Sequence, residues 1–398
     1  RPMELIRNIF CIKAIDWDIA NFHGYSTPFG TTYNGYLIRG EKNILIDTAK
    51  YYCENEFFEK IENILPVDRI DFVISNHAEM DHSGLIEKVI AKSNATLICS
   101  PKGKENLEKH FHKKFEKIIA VENGQILSLG NTTFQFFHTP MVHWPDSMCA
   151  YFIDKKILFS SDAFGQHFAG AEFFADEVGS DIIFREARKY YANIVNPYGA
   201  AVRKTLAAIS GLQIEMILPA HGLIWRKPDD IKNIVNKYSA WASNQSGEKV
   251  LIIYETMWGS TKKMAEKCYI EAVKRNYKAE MFNLDIRDIS DIVAEMPEAK
   301  IVLFGSSILH GQILPKMAGL LTYLTGLRFE KRKAWTFGSY GWARSSFERF
   351  EALVKAAGFE MPCNGYYVQF VPDENSIQTL IKQLKSGIFD PSQQQEHL

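Results

Sequence analysis

The segment Asn76-His77-Ala78-Glu79-Met80-Asp81-His82-Ser83-Gly84 places four potential metal ligands within six residues, directly after the apolar run IDFVISN. While the chain stays extended, alternate positions 77, 79 and 81 point to one side. His143 in FHTPMVHWPDS, Asp162 in LFSSDAFGQ and His221 in LPAHGLIW stand in the same kind of place, where an apolar run gives way to a loop. Any one of these histidines alone reads as a surface or hydrogen-bonded core residue. Together, His77, Glu79, Asp81, His82, His143, Asp162 and His221 are too many for one tetrahedral ion. They suit two ions with a bridging carboxylate, and Asp162 is the best bridge.

A second constellation lies in VLIIYETMWGSTKKMA. There a strand runs into the loop Thr256, Met257, Trp258, Gly259, Ser260, Thr261 and then into a helix. Backbone amides at the helix start, with the hydroxyls beside them, would cradle a phosphate. Neither GxGxxG nor GxxxxGK[ST] is present, so dinucleotide and nucleoside-triphosphate readings are weak. Gly305-Ser306-Ser307 and Gly338-Ser339-Tyr340-Gly341-Trp342 follow two later strands. Trp342 or Tyr340 could stack on a planar ring; the alternative for Trp342 is a buried packing aromatic.

These residues need elements to hold them. The first half reads as short strands in pairs: NGYLIRG and KNILIDTA flank a charged turn as a hairpin, and TLICS, KIIAVE, ILSL, TTFQFFHT, CAYFID, KILFSS and EMILPA follow. Helices are expected near 54–65, 83–93, 103–113 and through 181–210. Such alternation predicts a layered α/β domain with helix-covered sheets. After a helix over Asp229–Ala242 comes the polar segment SNQSGEK (243–249), the best linker candidate. From there strands KVLIIYE, KAEMFNL, AKIVLFGS, RKAWTFGS and GYYVQFV alternate with helices, which describes a doubly wound parallel sheet. The expected domains are 1–246 and 247–398, with only the tail PSQQQEHL disordered.

The chain's 398 residues exceed one ordinary core. Its 46 basic and 47 acidic residues argue against a nucleic-acid binder. No apolar run is long enough for a membrane span, and RPMELIRNIFCIK lacks a secretory h-region, so a cytoplasmic protein is expected. Met3 suggests that the first two residues are extraneous. The six cysteines form no CxxC pair and read as reduced, mostly buried thiols. Seven of the eleven histidines lie before residue 150.

The ligand pattern resembles the metallo-β-lactamase superfamily, whose usual HxHxDH here reads HxExDH, with Glu79 in place of the second histidine. Three carboxylates among seven ligands make a harder, more anionic site, which favours iron over zinc. The loop at 256–261 resembles the phosphate loop of flavodoxins, which bind flavin mononucleotide (FMN). A metallo-β-lactamase-like αββα sandwich followed by a flavodoxin-like domain resembles the flavodiiron proteins, the A-type flavoproteins. The resemblance covers about Phe10 to Asp390 and includes the phrases FHGY, GTTYN, HWPDSM, DAFGQH, YYANIVNP and YETMWGST. It implies His77, Glu79 and His143 on one iron, Asp81, His82 and His221 on the other, and Asp162 bridging. It further implies that His23 and Tyr191 support the ligands without binding the ions, and that His167 does likewise. Trp144 is expected to wall the pocket, and His138 to pack or support it.

The implied activity is reduction of dioxygen to water, of nitric oxide to nitrous oxide, or both. Reduced FMN holds two electrons and a di-ferrous pair two more, which matches the four that dioxygen needs. Without a CxxC the chain has no rubredoxin module of its own, so electrons must come from rubredoxin, a flavoprotein reductase or a reduced deazaflavin. A head-to-tail homodimer, or a dimer of dimers, would bring one protomer's flavin to the other's iron pair. One loop departs from the family pattern: Ser307 and Ile308 replace Pro and Thr, and His310 replaces Asn. The alternatives are a di-zinc hydrolase with an appended flavodoxin-like domain, and an electron carrier with a vestigial metal site.

Overall fold

The computed structural model describes residues 2–342 and 344–389; the expected disordered tail and Arg1 lie outside the described residues. The chain forms two compact units. One comprises the chain up to Tyr191 together with Tyr198–Ser243, and the other Ala192–Pro197 together with the chain from Asn244 onward. The second unit therefore starts three residues before the expected boundary and also takes in a short piece from far upstream.

In the first unit a seven-stranded sheet runs in the order Met3–Ile6, Ile9–Asp16, Thr31–Ile38, Ile44–Ile46, Phe72–Ile74, Thr96–Cys99 and Ile118–Ala120. A five-stranded sheet runs Ile126–Leu129, Thr132–His138, Met148–Phe152, Ile157–Ser161 and Met216–Pro219. The period-2 alternation of the strands divides their side chains between two cores. Cys11, Tyr36, Ile46, Ile74 and Ile98 face Phe134, Phe136, Met148, Phe159 and Leu218 between the sheets. Their neighbours Ile12, Leu37, Leu45, Val73 and Leu97 face outward, onto Phe57 and Ile61 of helix Glu54–Glu62 and Ile86 and Val89 of helix Ile86–Ser93. The expected hairpin pairs Tyr36 with Ile46 and Ile38 with Ile44. The two N-terminal strands precede the first strand that the sequence made evident.

The second unit is a parallel sheet in the order Lys278–Asn283, Lys249–Glu255, Ala299–Leu309, Lys333–Tyr340 and Tyr366–Gln369. This is the 2-1-3-4-5 order, whose switch point lies beside the first strand. Leu251, Ile253, Val302 and Phe304 pack on helices Pro315–Leu327 and Ser346–Ala356. On the other face, Ile252, Leu303, Trp335 and Phe337 pack on helices Ser260–Lys274 and Glu374–Gly387. The upstream piece joins the first of these cores through Ala192. Asn193 Nδ2 donates to the Ser290 carbonyl at 3.0 Å, and Asn196 Nδ2 to that of Leu327 at 2.8 Å. Among the described residues no helix is long and apolar enough to cross a membrane.

Gly338 lies in the strand that pairs with Ser306. A Cβ there would collide with the Ser306 carbonyl oxygen, which a backbone cannot move aside. Gly338→Ala is expected to destabilise the second unit by about 1–3 kcal/mol, the usual cost of overpacking. Urea melts of the two proteins followed by tryptophan fluorescence measure it.

Candidate metal centre and flavin pocket

All seven predicted ligands converge at one edge of the two-sheet layer. The strand Phe72–Ile74 ends in the loop that carries His77 and Glu79, and the short helix Met80–Ser83 then turns Asp81 and His82 back toward them. From the second sheet, His143 comes from the connection between Thr132–His138 and Met148–Phe152. Asp162 follows Ile157–Ser161 directly, and His221 follows Met216–Pro219. His77, Glu79, His143 and Asp162 form one group whose ligand atoms lie within 4.8 Å of one another, and Asp81, His82 and His221 form a second.

Asp162 reaches both groups. Its Oδ2 lies 3.2 Å from His143 Nε2 and 3.5 Å from His77 Nε2. Its Oδ1 lies 2.9 Å from His82 Nε2 and 3.5 Å from His221 Nε2. Glu79 Oε2 stands 3.3 Å from both His77 Nε2 and His143 Nε2, and Asp81 Oδ2 stands 3.1 Å from His221 Nε2. Buried Asp81 Oδ1, His82 Nε2 and Asp162 Oδ2 make no hydrogen bond of proper geometry despite this crowding. Four imidazole nitrogens and three carboxylates aimed inward, some without a partner, fit a pair of cations.

A ring of buried groups holds these side chains. Asp146 Oδ2 accepts from the Ala78 amide at 2.7 Å and sits 3.2 Å from His77 Nδ1, while its Oδ1 accepts from Asn106 at 3.1 Å. Asp47 accepts from the Asn76 amide at 2.8 Å and from Asn76 Nδ2 at 3.1 Å. His221 Nδ1 donates to the Thr32 carbonyl at 2.7 Å, which leaves Nε2 as the free lone pair. Tyr190 donates to Asp162 Oδ1 at 2.9 Å.

The resemblance implies a supporting role for Tyr191, but it is the neighbouring Tyr190 that lies against Asp162. Successive helical residues point about 100° apart, and at the end of helix Ser180–Tyr190 only Tyr190 faces the centre. Tyr191 instead packs on Tyr238 and Trp241, with ring centroids 5.0 and 5.1 Å away. His23 does reach the centre, with Nε2 3.3 Å from Glu79 Oε1 on the solvent side. Trp144 packs edge-on against His77 at 5.0 Å. His167 is buried, bonds Thr31 Oγ1 at 2.7 Å and lies 5.1 Å from the His221 ring. His138 is structural, its Nε2 bonding the Val121 carbonyl at 2.8 Å. Asp47, Asp146 and Tyr190 were missed. Their sequence signal is positional: Asp146 stands three residues after His143, and Asp47 ends the strand-like run NILID.

The imidazoles and carboxylates of the centre shift one another strongly. Burial opposes charge on His77, but Asp146, Glu79 and Asp162 outweigh it and hold the imidazole at about 10. For His143 burial is likewise overcome by Asp162 and Glu79, giving about 10, and for His82 by Asp81 and Asp162, giving about 9. Burial would raise the Asp162 carboxyl, yet His82 and His143 hold it well below the usual range. Burial dominates for Asp47 and pushes it up to about 6.

In the second unit a cavity of about 710 Å³ opens at the carboxyl ends of the strands. Met257, Trp258, Ser260, Ser307, Ser339, Tyr340, Gly341 and Trp342 line it, joined by Ile308 to Gly311, Phe370 and Val371. Trp342 is 92% exposed, so it is not a packing residue, and Trp258 is equally bare. Thr261 supports the cavity from beneath, its hydroxyl 2.9 Å from Ser307 Oγ and 3.4 Å from Ser339 Oγ. Thr256 Oγ1 accepts from the Gly259 amide at 3.2 Å, and Gly259, at φ +88°, caps helix Ser260–Lys274. Ser306 does not reach the cavity. Its hydroxyl donates to the Ser307 carbonyl at 2.8 Å and accepts from Leu314 N at 3.0 Å, because the chain here extends into a hairpin. That hairpin pairs Leu309 with Gln312 through His310-Gly311, both left-handed, as a tight two-residue turn requires. The volume, the apolar walls and the hydroxyl floor beside a helix N-terminus fit a flavin with a phosphate tail.

Two outcomes are expected of the metal centre. At pH 7 the ion-free imidazoles of His77, His82 and His143 are protonated, so ion binding must expel protons and affinity must rise as pH climbs. Calorimetric titration with ferrous iron in buffers of different ionisation enthalpy reads this release, and buffer-independent heats would contradict it. Asp146→Asn should weaken ion binding by roughly 10–100-fold while leaving the circular dichroism unchanged.

Comparison with known proteins places the chain. The ODP family beta lactamase profile matches residues 31–222 and the Flavodoxin profile residues 252–383. A nitric oxide reductase of Moorella thermoacetica is 37% identical over 385 residues, covering 95% of this chain and 96% of that one. The rubredoxin oxygen:oxidoreductase structure from Desulfovibrio gigas superposes with a TM-score of 0.94 at 35% identity, over 97% of this chain and 98% of that one. The flavodiiron protein structure from Giardia intestinalis gives 0.93 at 30% identity, over 96% and 94%. With both domains matched in order and relatives aligned almost end to end, this chain belongs to the flavodiiron protein family.

Proposed function

We propose that the chain reduces dioxygen to water, nitric oxide to nitrous oxide, or both, at a pair of iron ions fed with electrons by FMN. The observation that carries this reading is Asp162, whose two oxygens serve separate imidazole groups in a chain that also builds a flavin-sized cavity. His77, Glu79 and His143 would hold one ion, Asp81, His82 and His221 the other, and Asp162 both. Iron and FMN, when bound, each supply two of the four electrons that dioxygen needs. Asp146, Asp47 and the Thr32 carbonyl keep the ligands aimed, Tyr190 fixes Asp162, and His23 steadies the outer oxygen of Glu79. Three carboxylates among the ligands favour iron over zinc, so the hydrolase reading is set aside.

Residues 247–398 would carry the flavin and 1–246 the iron. Thr256, Gly259 and Thr261 shape the phosphate end, and Tyr340 and Trp342 offer ring surfaces. Electrons would come from an external donor: a rubredoxin, a flavoprotein reductase or a reduced deazaflavin. A cytoplasmic homodimer arranged head to tail would bring each flavin to its partner's iron.

Protein loaded with iron and FMN, reduced anaerobically and mixed in parallel with dioxygen and nitric oxide, is expected to consume at least one of them. Asp162→Ala should lower that turnover to background. Two zinc ions per chain with hydrolytic turnover and no gas consumption would overturn the proposal.

A further inference from the structure

Tyr33 is fully buried in strand Thr31–Ile38 and meets the ring of His221 edge-on at 5.8 Å. From there phenol rings lead outward: Tyr33 to Tyr52 at 6.4 Å and Tyr52 to Tyr51 at 5.4 Å, with Tyr52 at 52% and Tyr51 at 68% exposure. Such separations are ring-to-ring contact. Asp16 Oδ2 accepts from the Tyr33 hydroxyl at 2.9 Å and from that of Tyr52 at 2.5 Å, and the two hydroxyls are 3.0 Å apart. Lys50 Nζ lies over both rings, 5.3 Å from Tyr33 and 5.7 Å from Tyr52. None of these groups is needed to aim a ligand. A packing role explains the rings but not a carboxylate shared by two phenols that bridge a ligand histidine and solvent.

We propose that Tyr33, Tyr52 and Tyr51 form a relay that carries oxidising equivalents from the metal centre to the surface when dioxygen arrives at a centre holding too few electrons. The relay rests on the oxygen-reductase reading above. Tyr33 gives one electron to the oxidised centre through His221 and its hydroxyl proton to Asp16, leaving a neutral phenoxyl. The ammonium of Lys50 disfavours positive charge on either ring, so electron and proton must leave together. Tyr52 then passes its hydroxyl hydrogen across the 3.0 Å contact to Tyr33. An electron from Tyr51 and the proton on Asp16 restore Tyr52, while Tyr51 loses its own proton to water. A thiol in solution gives a hydrogen atom to Tyr51 and becomes a thiyl radical. The net change is one electron delivered to the centre and one proton released per thiol.

The test uses the full chain with two ferrous ions and oxidised FMN, which holds two reducing equivalents against the four required, mixed with dioxygen and frozen at intervals. Mössbauer spectra follow iron oxidation, and electron paramagnetic resonance follows tyrosyl radical. The wild type should oxidise its iron and show the radical. Tyr33→Phe and Asp16→Asn should oxidise iron equally and lose it. Tyr52→Phe should keep the radical with a severalfold longer lifetime. With excess reductant, all variants should turn over as the wild type does. Oxidised iron without a tyrosyl signal, or a signal that survives Tyr33→Phe, would overturn the relay alone. Iron that dioxygen leaves ferrous would defeat the oxygen-reductase reading and the relay with it.

Discussion

Asp162 is the constraint around which the first unit is built. One buried carboxylate shares its oxygens between two imidazole groups, drawn from loops of both sheets. Burying so many ionisable groups is expensive unless each is paired and directed. The ring of Asp47, Asp146, the Thr32 carbonyl and Tyr190 supplies that direction, so four loops of different origin arrive within hydrogen-bonding distances of one another. The core between the sheets therefore does more than stabilise. It fixes the separation between His77 and Glu79 on one side and Asp162 and His221 on the other.

The second unit uses a different principle. Its cavity is floored by neutral hydroxyls rather than charges: Thr261, in the first turn of helix Ser260–Lys274, meets Ser307 and Ser339 at the ends of adjacent strands. Ser307 adds a hydroxyl to that cluster. The chain beyond it pairs with itself, and the hairpin is fastened by Ser346, which donates to the Gly311 carbonyl at 2.7 Å, and by Arg349, which bonds Gln312 Oε1 at 2.9 Å. The hairpin thus presents Ile308 and Leu309 to the cavity, with His310 at its turn.

Much of this was legible in the sequence, for identifiable reasons. The seven ligands past the strand ends could be recognised because metal chemistry restricts the residue types. The five strands of the second unit could be recognised because β-branched and apolar runs alternate with amphipathic helices there. The choice between Tyr190 and Tyr191 could not. It depends on the rotation of one helix, and adjacent identical residues carry no signal of which one faces inward. Ser306 and Ser307 posed the same problem in a strand, where the strand's extension into a hairpin turned the first away from the cavity. Asp47 and Asp146 are separated from their partners by 29 and 69 residues, so their roles appear only in three dimensions.

The piece Ala192–Pro197 gives the two-domain description a different meaning. Because it belongs to the second unit while its flanks belong to the first, the polypeptide passes between the units three times: after Tyr191, after Pro197 and after Ser243. A fragment cut at the polar linker would lack Ala192 from its core and the amides of Asn193 and Asn196 that close two carbonyls. The flavin unit is thus not severable as a continuous length of chain. Its core takes in a segment that the ribosome has already made, some fifty residues earlier, within the other unit's stretch of chain.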